Sequence, residues 1–299
     1  MDRRKLLGCL SALGCETLFG LSYLFTKHIT SDVTVLELLS WRFFSGAVIF
    51  SLLVLLKVFP VHIKKENIKD FFPFVLFSPL IYFYCEGTGI NATTASESGA
   101  FLACIPVAAL VASGLVLKKK PLRVQVMGVC ITVVGVLVCV WAKGLEASFS
   151  PFGYCMLTLT VVGCGLFSAY SEKASSLTAV EKTYGMVIVG CVVFSLCAVL
   201  EGAARGNLAR LFLLPFSEPG FIIAVLFLAA GCSVLGFILY NAAIGNIGAS
   251  QTNTFVGIST VVSIVAGVLV LHESFTLMQI IGTVIILAGV YLANSRSII

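Results

Sequence analysis

Charged residues are scarce in this sequence. Asp, Glu, Lys and Arg together make up 11% of its 299 residues, whereas hydrophobic residues make up 59% and the mean hydropathy is +1.07. Soluble domains usually carry about 25% charged residues, so the composition excludes an ordinary water-soluble domain. Several apolar stretches reach the length of about 20 residues that a helix needs to cross a bilayer.

Motifs for metal binding and nucleotide hydrolysis are also missing. The 11 cysteines form no CxxC pair, and His28, His62 and His272 lie far apart. Neither GxxxxGK[ST] nor HExxH occurs, so we expect no cofactor, no bound metal and no enzyme activity. The lysines lie in short loops, which suit acidic lipid headgroups and not nucleic acid.

Hydropathy predicts an all-α polytopic membrane protein with ten transmembrane helices, because β-barrel alternation is absent. The predicted spans are about 6–26, 34–56, 71–90, 95–117, 123–142, 152–171, 183–200, 221–243, 249–271 and 276–294. The first span is too long for a signal peptide and is read as a retained helix. The more hydrophilic stretch 201–219 is expected to lie at the membrane interface.

An internal repeat divides the chain. Residues 95–136 match 249–290 without a gap at a constant offset of 154, with identities that include Phe101/Phe255, Gln125/Gln279 and Gly135/Gly289. A repeat of this length indicates a duplication. We therefore expect two five-helix repeats, residues 1–146 and 147–299.

The distribution of positive charge predicts the orientation of the two repeats. With the N-terminus inside, most of the 19 lysines and arginines fall on the cytoplasmic side, including the triplet Lys118-Lys119-Lys120. Both termini are then cytoplasmic, and the second repeat enters the membrane inverted relative to the first. Inverted repeats place a ligand site near the midplane and rock around it. We expect a protein of the cell (inner or plasma) membrane.

Several short motifs resemble the ten-helix, EamA-like branch of the drug/metabolite transporter superfamily. They are the two Gly-x6-Gly helices (Gly128 to Gly135, Gly282 to Gly289), Leu271-His272-Glu273, Trp41-Arg42-Phe43-Phe44 and Phe19-Gly20-Leu21-Ser22. The resemblance implies ten helices around a central cavity and transport of small metabolites. Phe19 stands where the family often has tryptophan, Lys119 stands where an acidic residue is frequent, and Glu16 is unusual.

Glu16 is the strongest candidate for a functional side chain. It lies at the middle of the first span, and helical spacing places it on one stripe with Gly20, Tyr23 and Lys27. A carboxylate at the bilayer centre costs a few kcal/mol and usually serves a function. We predict proton coupling or binding of a cationic group; the alternative is a structural carboxylate held by Arg42 or a nearby Ser or Thr.

A second candidate group combines aromatic rings with polar side chains. Tyr82 and Glu86 lie one helical turn apart, and the repeat aligns Glu86 with Tyr240, beside Asn241. An aromatic ring next to a carboxylate suits an ammonium group. The alternative is an interfacial tyrosine with a glutamate that reaches the interface.

Two further features have less specific interpretations. Pro106 interrupts the fourth span, where it could act as a hinge or form an ordinary kink. Trp41 and Arg42 are expected to anchor the second span at the membrane interface rather than to form a gate.

These features predict a secondary transporter that works by alternating access. The favoured substrate is a small polar or amphipathic metabolite, an amino acid or an amine, with protons as the candidate coupling ion. The protein would function as a monomer or homodimer. The alternatives are an uncoupled facilitator or channel-like permease, or a transporter of a quaternary amine, a nucleoside or a sugar derivative.

Overall fold

Every secondary-structure element that the computed structural model describes is a helix. The described residues are 3–27, 33–62, 68–93, 95–141, 150–217, 220–271 and 276–298. The helices are α1 (Arg3–Lys27), α2 (Val35–Leu55), α3 (68–92), α4 (Ala95–Leu102), α5 (Ile105–Leu117), α6 (Arg123–Trp141), α7 (Pro151–Lys173), α8 (Ala179–Ala204), α9 (Leu208–Ser217), α10 (Phe221–Ile247), α11 (Ala249–Thr254), α12 (Val256–Leu271) and α13 (Leu277–Ile298). The all-α prediction is confirmed.

Eight helical segments within the described residues are long and apolar enough to cross a bilayer. They are α2, α3, α6, α7, α8, α10, the joined segment of α11 and α12, and α13. The helix α1 and the 13-residue α5 are not among them. A multi-pass membrane protein is therefore supported, while the count of ten spans stays a prediction.

The fourth and ninth predicted spans are each interrupted near their first third. A turn at Ala103 and Cys104 separates α4 from α5, and Phe255 separates α11 from α12. Pro106 lies in the first turn of α5, where its missing N–H removes no helical hydrogen bond. The second repeat has Thr260 at the matching position and is interrupted all the same, so proline is not required for the break.

Helices at matching positions of the two repeats make matching contacts. The pair α5 and α7 corresponds to the pair α12 and α1, and the contact of α1 with α10 corresponds to that of α7 with α3. The helices α2 and α8 pack against each other, as do α6 and α13. These contacts correspond in pairs, as the predicted duplication would require.

Close packing of α6 against α13 depends on glycine. A Cβ on Gly128 would lie 2.4 Å from the backbone nitrogen of Ala293, and one on Gly289 would lie 2.5 Å from that of Thr132. Real Cβ atoms do not approach other atoms this closely. Small residues at such positions allow two helix backbones to meet in a membrane.

The helices α3 and α10 share a second irregularity, a π-helical segment near the middle. These segments are Leu76–Ile81 and Phe227–Gly236. Within the first, Ser78 has an extended backbone (φ −144°, ψ 126°) and is followed by Pro79, which disfavours the helical conformation in the residue before it. Local π-helical turns are frequent at functional sites. The predicted residue Tyr82 directly follows the first segment, and Tyr240 lies one helical turn beyond the end of the second.

Candidate functional site

The carboxylate of Glu16 is buried where α1 packs against α10 and α12. Only 2% of Glu16 is exposed, and Ser259 on α12 interacts with it. The Ser259 hydroxyl itself donates a 2.6 Å hydrogen bond to the Val256 carbonyl. One turn further along α1, a Cβ on Gly20 would meet the carbonyl oxygen of Ser259 at 2.6 Å. Gly20 therefore lets α12 approach Glu16 closely. The side chain of Tyr23 lies outside the described residues.

Tyr82 and Glu86 form a bonded pair at the start of the last helical part of α3. The Tyr82 hydroxyl donates a hydrogen bond of 2.8 Å to Oε1 of Glu86. Both side chains are half-buried, so both keep some accessible surface. Tyr82 also interacts electrostatically with Glu16, more weakly than with Glu86.

Arg42 belongs to the same group of side chains, contrary to its predicted role as an interface anchor. Its Nε donates a 2.8 Å hydrogen bond to the Ser233 hydroxyl in the π segment of α10, and its Cζ lies 4.5 Å from the ring centroid of Phe83. It also interacts electrostatically with Glu86. The signal that could have found it is an arginine within an apolar span, which usually faces the bundle interior.

Trp41, the other half of the predicted anchor, is engaged elsewhere. Its Nε1 donates a 2.8 Å hydrogen bond to the carbonyl oxygen of Leu211 in α9. The helix α9 lies within the stretch 201–219 that was predicted to be interfacial. Trp41 therefore joins α2 to α9 and takes no part in the group around Glu86.

Tyr240 lies in a closed hydrogen-bond network with two residues that the sequence analysis did not single out. Its hydroxyl donates to Oδ1 of Asn253 at 2.8 Å and is 2.8 Å from the Ser168 hydroxyl. Nδ2 of Asn253 donates to Ser168 Oγ at 3.0 Å, which completes the triangle. The ring of Tyr240 stacks on Phe167 at a centroid distance of 5.8 Å.

Asn241 belongs to a separate network. Its Nδ2 donates to Thr183 Oγ1 at 3.1 Å, and its Oδ1 accepts from the Ser171 hydroxyl at 2.7 Å. The side chain of Lys182 donates to the carbonyl oxygen of Ser171. These bonds join α7, α8 and α10 and include neither predicted carboxylate.

The structure thus brings together four of the seven predicted binding or coupling residues. Glu16, Tyr82, Glu86 and Tyr240 all interact electrostatically with Cys164 on α7 or with one another. Arg42 joins this group, and Gly20 and Asn241 lie outside it. Pro106 lies beside the break in its own span. Within the described residues, no cluster of three His, Cys, Asp or Glu side chains could hold a metal ion.

Comparison with known proteins identifies the family of this chain. Residues 6–141 and 151–295 each match the EamA-like transporter family, so nearly the whole chain is covered. The chain belongs to the EamA-like transporter family. It is therefore a member of the drug/metabolite transporter superfamily, and the family name indicates a transporter rather than an enzyme.

Relatives of this EamA-like protein occur in bacteria and archaea. The uncharacterized transporter YcxC of Bacillus subtilis (strain 168) is 28% identical over 95% of this chain and 92% of its own length. An uncharacterized transporter of Archaeoglobus fulgidus is 20% identical over 92% and 94%, respectively. A protein crystal structure with 16% identity superposes with a TM-score of 0.75 over 98% of this chain and 97% of its own. That likeness supports the fold alone.

The Tyr240 network allows a stability prediction for this EamA-like protein. Tyr240→Phe removes the hydroxyl that donates to Asn253, and a buried polar group without its partner costs about 1–3 kcal/mol. We expect a lower midpoint of thermal unfolding in detergent. Thr158→Val is the control, because its hydroxyl lies on an exposed face of α7 and bonds, among the described residues, only the Tyr154 carbonyl. Equal midpoints for the two variants would contradict a structural role for the network.

Proposed function

We propose that this protein is a secondary transporter of a small metabolite that carries an amino group, and that it works by alternating access. The two repeats, 1–146 and 147–299, would exchange exposure of the site between the sides of the cell membrane. Both termini would be cytoplasmic, and protons would drive the cycle. An amino acid or an amine is the substrate class that the side chains favour.

The observation that carries the proposal is the position of Glu16. It is almost completely buried between helices of the two predicted repeats, and it interacts electrostatically with Tyr82, whose hydroxyl bonds a second carboxylate, Glu86. Carboxylates within membrane-spanning helices are costly and commonly belong to proton relays or substrate pathways. Movement of α1 relative to α12 would change the surroundings of Glu16, and with them its affinity for a proton.

Tyr82 and Glu86 supply the part of the site suited to the substrate. A carboxylate accepts charge-assisted hydrogen bonds from an ammonium group, which are stronger than neutral ones. The Tyr82 ring beside it offers a face to the same cation. Both side chains keep some accessible surface.

A contact between the repeats at one end of the bundle supports alternating access. Lys119, between α5 and α6, forms an ion pair with Glu172 at the end of α7. Oε2 of Glu172 also accepts a 2.7 Å hydrogen bond from the backbone N–H of Ala249 at the start of α11. This three-part contact ties three helix ends together and would have to open when the site is exposed on that side.

Flux in proteoliposomes tests the proposal. The purified full chain would be reconstituted and presented with radiolabelled amino acids and amines, with and without an imposed pH gradient. We expect uptake of at least one of these compounds above that of empty vesicles, with accumulation that follows the gradient. Absence of protein-dependent flux across the panel would refute the proposed function.

The same experiment separates the coupled transporter from its alternative. An uncoupled facilitator or channel-like permease would equalise substrate concentrations at the same rate with or without the gradient. A second panel contains quaternary amines, nucleosides and sugar derivatives. Flux of only these compounds would keep the transporter mechanism and replace the substrate class.

A further inference from the structure

The hydrogen bonding of Arg42 leaves its terminal groups available. In the described part of the chain, its single hydrogen bond uses Nε, which donates to Ser233. The guanidinium plane rests near two buried rings, 4.5 Å from the centroid of Phe83 and 6.0 Å from that of Phe43. Arg42 is therefore held in place from one side, while both terminal nitrogens keep their donors for another group.

Glu86 is also held by one atom only. Its Oε1 accepts from Tyr82, and among the described residues Oε2 has no hydrogen-bond partner. Arg42 and Glu86 interact electrostatically but form no direct ion pair. Two opposite charges thus share one apolar, aromatic-lined region with the bonding capacity of each only partly used.

We propose that Arg42 and Glu86 form a receptor for a zwitterion, and that the substrates are free α-amino acids rather than simple amines. The terminal nitrogens of Arg42 would bind the substrate carboxylate, for which the planar guanidinium is well shaped. Glu86 and Tyr82 would bind the α-ammonium group. This inference rests on the proposed transport function for the origin of its ligand.

Physical chemistry favours a ligand that brings both charges. An amine alone would leave Arg42 unpaired, and a carboxylate alone would leave Glu86 unpaired. An unpaired charge away from water is costly, so a site of this kind rejects ligands that lack one of the two groups. The protein should therefore bind a free amino acid much more tightly than derivatives that lack one of the two charges.

Ligand-induced thermal stabilisation of the purified full chain tests this receptor. The 20 standard L-amino acids are screened first. The amino acid that stabilises most is then compared with its C-terminal amide, its N-acetyl derivative and its decarboxylated amine. We expect the wild type to bind the free amino acid about 10- to 100-fold more tightly than the derivatives, the range that a lost charged hydrogen bond implies.

Variants assign the two charges to their residues. Arg42→Gln should bind the amide with the same affinity as the free amino acid. Glu86→Gln should bind the N-acetyl derivative with the same affinity as the free amino acid. Arg42→Lys keeps the positive charge but lacks the two terminal nitrogens of the planar guanidinium. It should recover part of the preference for the free amino acid over the amide. Arg210→Gln, which removes an arginine on α9, should behave as wild type. Size-exclusion chromatography and the ligand-free unfolding midpoint establish that each variant is folded.

Each outcome has a distinct meaning. Equal binding of amide and free amino acid by the wild type, or an unchanged preference in Arg42→Gln, overturns the zwitterion receptor and leaves the transporter proposal intact. Flux of amines without binding of any amino acid would also overturn the zwitterion receptor and leave the transporter proposal intact. Selective amino acid binding without flux would instead refute transport and retain the receptor.

Discussion

Glu16→Gln is expected to abolish proton-driven accumulation while leaving substrate exchange in place. For one proton per substrate, a gradient of two pH units can sustain about 100-fold accumulation, since each pH unit corresponds to about 1.4 kcal/mol. Without the titratable group, the ratio of internal to external substrate should fall to about one. The amide has nearly the same shape as the carboxylic acid and keeps groups that can bond Ser259.

Accumulation and counterflow are both measured, because together they separate loss of proton coupling from loss of transport. Counterflow needs only binding and alternating exposure, so it should persist in Glu16→Gln at a rate within several-fold of the wild type. Glu201→Gln serves as the matched control, because this carboxylate lies near the end of α8 in an ion pair with Arg205. Gradient-dependent accumulation retained in Glu16→Gln would show that Glu16 is structural.

Gly289→Val is expected to have the largest effect on stability. Its side chain would have to occupy space held by the backbone of Thr132 and, at 2.8 Å, by the carbonyl oxygen of Gly128. Backbone atoms cannot rotate away as a side chain can, so α6 and α13 must separate. Overpacking of this kind costs about 1–3 kcal/mol and sometimes more, and we expect a lower unfolding midpoint with loss of monodisperse protein.

Gly245→Val provides the control for this substitution. Gly245 lies in α10, and a Cβ placed there would meet no atom within 4 Å. Both variants add the same β-branched side chain to a helix, so the helix-propensity cost is shared and the contact is the difference. A Gly289→Val protein as stable as Gly245→Val would mean that the two helices do not touch as the structure shows.

The fold was largely predictable because its main signal is local. Long apolar stretches identify the helices. The internal repeat indicates which helix of the first half corresponds to which helix of the second. The sequence predicts an interruption in the fourth span, at Pro106, but none in the ninth. In the ninth span, Phe255 at the break is an ordinary helix residue and Thr260 stands where the proline would be. These breaks depend on packing between helices, which hydropathy does not report.

The candidate site was predictable only in part, for a related reason. Glu16 and Glu86 attract attention because any carboxylate in an apolar span is exceptional. Asn253 and Ser168 are common residues in such spans, and their importance comes from meeting Tyr240 across three helices. The position of Arg42 near one end of its span predicts an interface anchor. Which helix lies opposite decides its role, and sequence position does not contain that information.

The contact of Lys119 with Glu172 has a consequence for how the transporter rests between cycles. The repeat aligns position 119 with position 273, which holds glutamate, so the same ion pair cannot be reproduced through that position at the other end. Under the proposed alternating access, the two facing states would therefore differ in free energy. Since Lys119 is 60% exposed, a surface ion pair of this kind contributes at most about 1 kcal/mol. That amount shifts the resting population by about fivefold, so half-saturating substrate concentrations should differ between the two sides of the membrane.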